Sequence, residues 1–480
     1  MAGRSTKPYQ HLVDDGSFTR APDDLVSSDP LSYPGYPDAL AEARSSSGGD
    51  ESVHAGAATI GGHAVEIAAF DFSFLGGSMG EVAGERVARA MERAAERGSP
   101  FILRSATGGA RMQEGMRSLI QMPKLVAARA SLTEAHVPYI AVLGDPSTGG
   151  VLASVGALAD VTIAELGATV GFAGPRVVAA FTGTPPSAMS HTATSALANG
   201  MIDMVVATDQ VRAAVGGILE ALQNDSPAAT TPLPDATARD LDAWDAVGAA
   251  RSLDRPTGPE LARAMSDVFV ELRGDRSGTD SRSLIGALAR VRGRRAVVLA
   301  LDRAGTPGPG AFRKARRCIA LARRLTLPIV TLVDTPGADP SESSEAHGIA
   351  WEIAGLFEDM LAADVPIISV VTGEGGSGGA LAFATGDVIL VYEHAIFSVI
   401  GPEAAAAILW RDPDRAPDAA RALKLTAADL VRLGIADHLL SEPLTSDSVA
   451  DAVAYHLDRT DGSAPDPGAA RRKRWRDLGG

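Results

Sequence analysis

The chain carries the same glycine-rich skeleton twice. In each half an apolar run ends in a glycine turn, and a second apolar run ends in a glycine pair. The turns and pairs are Gly108-Gly109 and Gly149-Gly150 in the first half, and Gly337 and Gly378-Gly379 in the second. A glycine turn directly after a buried strand suits the binding of an oxyanion by backbone N–H groups, because no Cβ blocks the approach. The spacing from Gly108 to Gly149 equals that from Gly337 to Gly378, which predicts two facing sites that serve one reaction.

Length and composition exclude several classes of protein. At 480 residues the chain is too long for one ordinary core, so two or three domains are expected. No apolar run approaches the ~18–20 residues that span a bilayer, and the N-terminus lacks a signal-peptide pattern, so a cytoplasmic protein without membrane contact is expected. The net charge of −15 argues against nucleic-acid binding.

Cysteine and histidine usage argues against a metal site. Cys318 is the single cysteine, which excludes internal disulfides and any multi-cysteine zinc site. The nine histidines form neither H-x₃-H nor H-E-x-x-H. We therefore expect no metal.

The order of the predicted elements indicates a duplicated α/β domain. Short apolar strands with little alternation are separated by amphipathic helices, which is typical of parallel strands covered on both faces. Pro-containing steps among small polar residues mark a linker in the middle of the chain. The predicted boundaries are a lead-in at 1–50, a first domain at 51–222, a linker at 223–255, a second domain at 256–460 and a solvated basic tail at 461–480.

Single glycine motifs allow other interpretations. Gly375 to Gly379 fits G-x-S-x-G, so a serine hydrolase with Ser377 as nucleophile is one alternative. Asp334 to Gly337 resembles the D-x-x-G element of GTPases, but no Walker A pattern accompanies it. Ordinary structural turns would explain any one cluster, and the two matched pairs weigh against that explanation.

Basic residues follow the first glycine turn on one predicted helix. Arg111 and Lys124 are candidates for contact with ligand phosphates, because guanidinium and ammonium groups are their usual partners. A solvated helical face is the alternative.

Taken together, the motifs resemble the biotin-dependent carboxyltransferases of the crotonase superfamily. Residues from about Leu12 to Ala207 are similar to the β subunit of bacterial acetyl-CoA carboxylase, and residues from about Arg255 to Pro443 to its α subunit. The matching motifs are Phe70–Gly80, Ser105–Gln113, Asp145–Gly150, Gly171–Val177, Asp334–Ala338, Gly373–Ala382, Pro402-Glu403 and Ile408–Trp410. The resemblance implies two tandem crotonase-like β-β-α superhelix domains of the ClpP/crotonase type.

Three features depart from the family pattern. The four cysteines of the β subunit's zinc ribbon are missing, the stretch from Leu301 to Ala311 is shorter than usual, and the helix after Gly348 begins with an unusually apolar segment. The fused, zinc-free form is also similar to the acyl-CoA carboxylase β chains that act on propionyl-CoA.

The resemblance implies carboxyl transfer from carboxybiotin to the α-carbon of acetyl-CoA or another short acyl-CoA, as in the malonyl-CoA synthesis of fatty acid production. Negative charge would develop on the thioester oxygen and on the biotin ureido oxygen, and no side chain would need to move a proton. The residues implied for the thioester oxygen are Gly108, Gly109, Gly149 and Gly150. Those implied for the biotin carbonyl are Gly378, Gly379 and Ala380. Further biotin contacts are expected at Gly337, Ala338, Gly376 and Ser377, and further substrate contacts at Arg111, Lys124, Gly174 and Pro175.

The resemblance also implies partners. Biotin would arrive on a biotin carboxyl carrier protein and be carboxylated by a biotin carboxylase. In this family the first domain of one protomer faces the second domain of another, so at least a homodimer is expected. Decarboxylation of a malonyl-type thioester on the same fold is the alternative activity.

Overall fold

A computed structural model describes residues 7–223, 229–230, 233, 241–460 and 466–478. The chain divides into two compact units, Met1–Glu220 (unit 1) and Ala221–Gly480 (unit 2). Within the described ranges, no helix combines the length and apolarity needed to cross a membrane.

Unit 1 contains an eight-stranded sheet. Its strands are β1 (Thr19–Arg20), β2 (Val53–Ile60), β3 (His63–Phe70), β4 (Phe101–Thr107), β5 (Tyr139–Thr148), β6 (Val161–Glu165), β7 (Val170–Gly171) and β8 (Met204–Val206). The strand order is β1-β2-β3-β4-β5-β6-β8, with β7 paired to the end of β5. Its helices are α1 (Tyr36–Ser47), α2 (Glu81–Arg97), α3 (Met116–Leu119), α4 (Gln121–Glu134), α5 (Gly149–Leu152), α6 (Pro175–Thr182), α7 (Ala193–Ala198) and α8 (Val211–Ala221).

Unit 2 repeats this architecture. Its strands are β9 (Val268–Leu272), β10 (Leu284–Val291), β11 (Arg294–Leu301), β12 (Ile329–Thr335), β13 (Ile367–Gly376), β14 (Val388–Tyr392), β15 (Ile396–Ser398) and β16 (His438–Leu440). The strand order is β16-β14-β13-β12-β11-β10-β9, with β15 paired to the end of β13. Its helices are α9 (Ala243–Ala250), α10 (Gly258–Ala264), α11 (Pro309–Arg324), α12 (Glu342–Ala346), α13 (Ile349–Ala362), α14 (Ser377–Phe383), α15 (Pro402–Trp410), α16 (Ala416–Leu423), α17 (Ala427–Arg432), α18 (Ser446–Thr460) and α19 (Pro467–Asp477).

The central strands of each unit are buried along almost their whole length. In β4 and β12 every residue but Arg104 is buried, as the continuous apolar runs predict for parallel strands covered on both faces. Helix α2 covers one face of the first sheet with Val87, Ala90, Met91 and Ala94. The antiparallel hairpins β2–β3 and β10–β11 open each repeat, and parallel pairing begins at β3 and at β11.

A register shift occurs at the same place in both units. The β4–β5 ladder is regular up to Ser105 and irregular before Thr107, and the β12–β13 ladder is regular up to Val333 and irregular before Thr335. Irregularities of this kind bend a strand and redirect the residues at its end. In both units those residues lead into the glycine turn.

Two segments predicted as linker and tail contain helices. Within the predicted linker, α9 buries Ala243, Ala246, Val247 and Ala250 within unit 2, because small apolar residues at helical spacing form one face. Linker residues 224–228, 231–232 and 234–240 lie outside the described residues.

In the predicted solvated tail, α19 carries Arg471, which is 1% exposed. Its guanidinium donates to the carbonyl oxygens of Ala363 and Val365 at 2.9 and 2.8 Å and pairs with Asp387 at 2.7 Å. The sequence predicted a solvated tail because the residues that bind Arg471 are distant in the chain and cannot be recognised from the local sequence.

Candidate functional site

In unit 1 the glycine turn after β4 meets the start of α5. Gly109 has φ 112° and Gly149 has φ 68°, conformations that L side chains rarely adopt. A Cβ added to Gly149 would lie 2.7 Å from the Cα of Gly109. The two backbones are therefore in direct contact, and only glycine permits this approach.

Unit 2 builds the same junction from different residues. Gly337 has φ 137° in the turn after β12, and Ser377 has φ 60° at the start of α14. A Cβ on Gly379 would lie 2.7 Å from the backbone nitrogen of Ala338, and one on Gly376 would overlap the carbonyl oxygen of Pro336. The predicted biotin residues Gly337, Ala338, Gly376 and Ser377 are thus brought together at one turn.

The structural register of the repeat differs by one residue from the sequence match. Gly109, not Gly108, occupies the positive-φ position that Gly337 occupies in unit 2, and Gly149 matches Ser377 instead of Gly378. The sequence match aligned glycines by identity, whereas the shared feature is backbone conformation. The residue of unit 2 that has the same left-handed backbone conformation as Gly149 is a serine, Ser377, so an alignment of glycines could not reveal that the two positions correspond.

Several predicted donors in unit 1 are already engaged. The N–H of Gly108 donates to the Gly76 carbonyl at 3.0 Å, that of Gly109 to Thr107 Oγ1 at 3.0 Å, and that of Gly149 to the Phe172 carbonyl at 2.9 Å. These three glycines therefore shape the turn without offering an N–H group to a ligand.

Two other N–H groups in unit 1 remain available. Ala110 forms a parallel β-bridge with Met79. The two hydrogen bonds of this bridge run from the Met79 N–H to the Gly109 carbonyl and from the Arg111 N–H to the Met79 carbonyl, so the bridge does not use the N–H of Ala110. Gly150 is the second residue of α5, where an N–H group has no acceptor within the helix. Ala110 was not predicted, and its position directly after the glycine turn was the available signal.

The same distribution is found in unit 2. The N–H of Gly337 donates to Thr335 Oγ1 at 3.3 Å, as that of Gly109 does to Thr107. Gly378 and Gly379 lie in the first turn of α14, where N–H groups have no intrahelical acceptor. Ala380 is the fourth residue of that helix, where a regular helix directs the N–H to the Gly376 carbonyl, so its predicted donor role does not fit this placement.

Two glycines face open space beside these donors. A Cβ on Gly378 would meet no atom within 4 Å, and one on Gly108 would come no closer than 3.7 Å to the Gly76 carbonyl oxygen. Each turn therefore has room beside it for a ligand.

Arg111 does not fit its predicted role in phosphate binding. Its side chain is fully buried, pairs with Glu51, and donates to Glu114 at 3.1 Å and to the Tyr36 hydroxyl at 3.2 Å. Burial alone would raise the pKa of Glu51, but the hydrogen bonds and charge of Arg111 outweigh it and hold that pKa below its usual range. Arg111 instead anchors α1 and the start of β2 beneath the turn, which local sequence could not reveal because its partners are distant in the chain.

The other predicted substrate residues are accessible. The Lys124 side chain on α4 is 40% exposed and pairs with Glu85. Gly174 caps α6 and Pro175 begins it, and no residue of α6 is buried. These three remain candidates for substrate contact.

A buried charged cluster supports the turn of unit 2. Asp334 accepts hydrogen bonds from the backbone N–H of Glu374 at 3.0 Å and from Arg255 at 3.2 Å, and Arg303 lies 3.6 Å away. Burial raises the pKa of Asp334, although both arginines oppose the shift. Arg255 also donates to the Thr372 carbonyl at 2.5 Å, so it joins the ends of β12 and β13. Sequence reasoning missed Arg255 because it fell in the predicted linker.

Ser377 occupies a strand-to-helix turn, as a hydrolase nucleophile would. Its side chain is exposed, and no hydrogen bond joins it to a histidine in the described ranges. The matching residue of unit 1 is Gly149, which has no hydroxyl group. The duplicated feature is thus the turn and not the nucleophile.

One group of side chains in the described part of the chain has metal-ligating atoms close together. Glu393, His394 and Glu442 offer oxygen and nitrogen atoms within 4.8 Å of one another. His394 Nε2 lies 3.9 Å from Glu442 Oε2, and Glu393 Oε1 already accepts the N–H of Glu442 at 2.7 Å.

Comparison with known proteins identifies the family. The model of the family "Acetyl co-enzyme A carboxylase carboxyltransferase-like" matches residues 219–459. The acetyl-coenzyme A carboxylase carboxyl transferase subunits beta/alpha of Salinispora arenicola are 43% identical, over 93% of this chain and 85% of the relative. The chain belongs to the acetyl-CoA carboxylase carboxyltransferase family.

Other relatives agree with this assignment. A probable biotin-dependent acyl-coenzyme A carboxylase beta3 subunit of Mycobacterium tuberculosis is 37% identical over 100% of this chain and 99% of its own length. The crystal structure of the transcarboxylase 12S hexamer with hydrolysed methylmalonyl-coenzyme A superposes with a TM-score of 0.77 at 25% identity, over 95% of this chain and 89% of the other. These findings confirm the predicted pair of crotonase-like domains and the predicted enzyme class, a biotin-dependent acyl-CoA carboxyltransferase.

Proposed function

We propose that the paired turns hold the two oxygens that become negatively charged during carboxyl transfer to an acyl-CoA. The observation that carries the proposal is the duplicated junction. In unit 1 the N–H group directly after the glycine turn is that of Ala110, and the one at the start of the following helix is that of Gly150. The positions that correspond to them in unit 2 are Ala338 and Gly378. Backbone donors aimed at a developing oxyanion are a common means of stabilising acyl-transfer transition states.

The junction of unit 1 is assigned to the thioester oxygen of the acyl-CoA. Its donors would stabilise the charge that develops on this oxygen as the α-proton leaves, and loss of one such donor typically costs about 2.7–4 kcal/mol. The open space beside Gly108 would admit the acyl group. Lys124 is the remaining basic candidate for the phosphates of coenzyme A, since it is half-exposed and Arg111 is buried.

The junction of unit 2 is assigned to biotin. When bound there, carboxybiotin would supply the carboxyl group, and the residues of this junction would face the ureido oxygen on which negative charge develops. Ala338, Gly376, Ser377 and Gly378 would hold it. They fit a flat ring because the bare α-carbon of Gly378 faces open space beside two backbone donors.

The active form is proposed to be a homodimer or a larger homo-oligomer. Several large apolar side chains are exposed in each unit, and their burial against another copy of the chain would favour association. In unit 1 they include Met112, Met116, Phe172 and Phe181, and in unit 2 Trp351, Val399, Ile408 and Leu409. Unit 1 of one protomer would face unit 2 of another. A biotin carboxyl carrier protein and a biotin carboxylase would complete the system.

Reconstitution tests the proposal. The purified chain is mixed with a biotin carboxylase, its biotinylated carrier, ATP, bicarbonate and an acyl-CoA, and formation of the carboxylated thioester is measured. We expect turnover that requires every component. Decarboxylation of malonyl-CoA without any forward carboxylation would contradict the proposal and favour the alternative activity.

Two glycine variants separate the roles of the turns. Gly108→Val and Gly378→Val both add a side chain to open space, so both proteins should fold normally. With acetyl-CoA as the substrate, we expect Gly108→Val to raise KM for acetyl-CoA and Gly378→Val to raise KM for free biotin, each at least tenfold. Identical effects of both variants on both substrates would contradict the division of labour.

A further inference from the structure

Unit 2 contains an apolar cavity of about 340 Å³ beside its turn. The cavity begins at Ser377 and Gly378 and runs between α14, the strands β14 and β15, and the α16–α17 segment. Its lining residues include Leu381, Ala384, Ile389, Phe397, Leu430 and Trp475.

The cavity has an exposed rim beside Gly378, a buried apolar floor, and a further exposed residue, Leu433, at the end beside Ile389. Ser377 and Lys424 at the rim are exposed, as is Val399 at 72%. Ala384, Ile389 and Val391 are at most 2% exposed. A ligand entering beside Gly378 would therefore pass from a partly polar rim to a fully apolar floor.

The chemistry of carboxyl transfer decides what reaches this rim. The α-carbon of the acyl group must meet the carboxyl group delivered beside Gly378, whichever protomer supplies each turn. The alkyl chain attached to that α-carbon must then begin at the same place. An acetyl group has no such chain and would leave the cavity unfilled.

We propose that this cavity takes the alkyl chain of the acyl-CoA substrate, so that the enzyme favours acyl groups longer than acetyl. This inference rests on the proposed function for the position of the α-carbon. The apolar floor binds the alkyl chain only through burial of its surface, so the affinity should depend on the length of the chain more than on its shape. Each methylene group buried should tighten binding on the order of fourfold.

Direct binding tests the inference without catalysis. Isothermal titration of the full-length protein with coenzyme A, acetyl-CoA and octanoyl-CoA needs no biotin partner. We expect octanoyl-CoA to bind at least tenfold more tightly than acetyl-CoA. Equal affinities for the two thioesters would overturn the inference, whereas the reconstituted carboxylation of acetyl-CoA would still stand by itself.

A variant that fills the floor locates the effect. Ala384→Leu should reduce the ratio of octanoyl-CoA to acetyl-CoA affinity at least tenfold, and Ala469→Leu, the same change on the exposed face of α19, should leave the ratio as it is. If Ala384→Leu does not fold, Leu433→Asp at the end of the cavity beside Ile389 should weaken octanoyl-CoA binding instead. An unchanged ratio in the folded filling variant, or a rise only in KM for free biotin, would assign the cavity to another ligand and overturn the inference.

Discussion

At the scale of single residues, backbone conformation is more informative than residue type. Gly109 and Gly149 are in contact through their backbones, and a Cβ on Gly109 would lie 3.1 Å from the Cα of Gly149. We expect Gly109→Ala to lower kcat/KM at least tenfold, because the added methyl group displaces the start of α5 and with it the N–H of Gly150. Steady-state kinetics measures the effect.

Gly98→Ala is the control for Gly109→Ala. Gly98 also has a positive φ, at the end of α2, but a Cβ there would meet no atom within 4 Å. A positive-φ side chain costs about 1–3 kcal/mol, so both variants should lose some stability while only Gly109→Ala loses activity. Equal kcat/KM in the two variants would remove Gly109 from the site.

Arg111 and Lys124 provide a second comparison of residues. Arg111→Met leaves Glu51 and Glu114 buried without their cation, so the free energy of unfolding should fall by about 3–5 kcal/mol. Lys124→Met changes a half-exposed pair, so stability should change by less than ~1 kcal/mol, while KM for the acyl-CoA should rise. Urea unfolding measures the stability of both variants, and steady-state kinetics measures their KM for the acyl-CoA. If Arg111→Met raised this KM without a loss of stability, Arg111 would again be a candidate for contact with the phosphates of the ligand.

At the scale of secondary-structure elements, α18 and β16 are joined by two histidines. His456 on α18 packs against His438 of β16 in a tilted arrangement, with ring centroids 4.7 Å apart. Burial, aided by the nearby charges of His438 and Arg459, lowers the pKa of His456 to about 4, although Asp437 opposes the shift. The folded state thus keeps His456 neutral at a pH where the unfolded chain protonates it.

Stability should therefore fall as the pH drops from about 6.5 to about 4, with His456 contributing on the order of 3 kcal/mol over that range. His456→Gln removes this contribution. We expect its free energy of unfolding to change less between pH 7 and pH 5 than that of the wild type, by urea titration at both values. A parallel pH dependence in the two proteins would mean that His456 is protonated in the folded state.

The elements themselves were largely predictable from sequence. The strands β4, β5, β12 and β13 correspond to continuous apolar runs, and α2 to apolar residues at helical spacing. Helices α9 and α19 were missed because each is held by contacts that are distant in the chain. In the site, Gly150, Gly378 and Gly379 were predicted as donors, whereas the roles of Ala110 and Arg255 depend on their three-dimensional placement and were not predicted.

At the scale of the whole molecule, the division of labour between units makes a complementation test possible. Gly109→Val impairs the turn of unit 1, and Gly379→Val impairs that of unit 2, where a Cβ would meet the backbone of Ala338. Each variant alone should be inactive. Co-expressed as mixed dimers, they should recover part of the wild-type activity, because one composite site then lacks both changes.

The control is each variant co-expressed with itself, and affinity tags of two kinds verify the mixed dimers. No recovery in verified mixed dimers would mean that each site lies within a single chain. Separate expression of the two halves, divided within residues 224–240, should likewise give fragments that are active only when combined.

The position of Trp475 has a practical consequence. The chain has four tryptophans, and Trp475 lines the apolar cavity on α19, while Trp351 is 78% exposed. Indole emission shifts to shorter wavelength when water around the ring is replaced by hydrocarbon. The enzyme therefore carries an intrinsic optical reporter, and with the other three tryptophans replaced by phenylalanine, its fluorescence spectrum would record the arrival of an alkyl chain in real time.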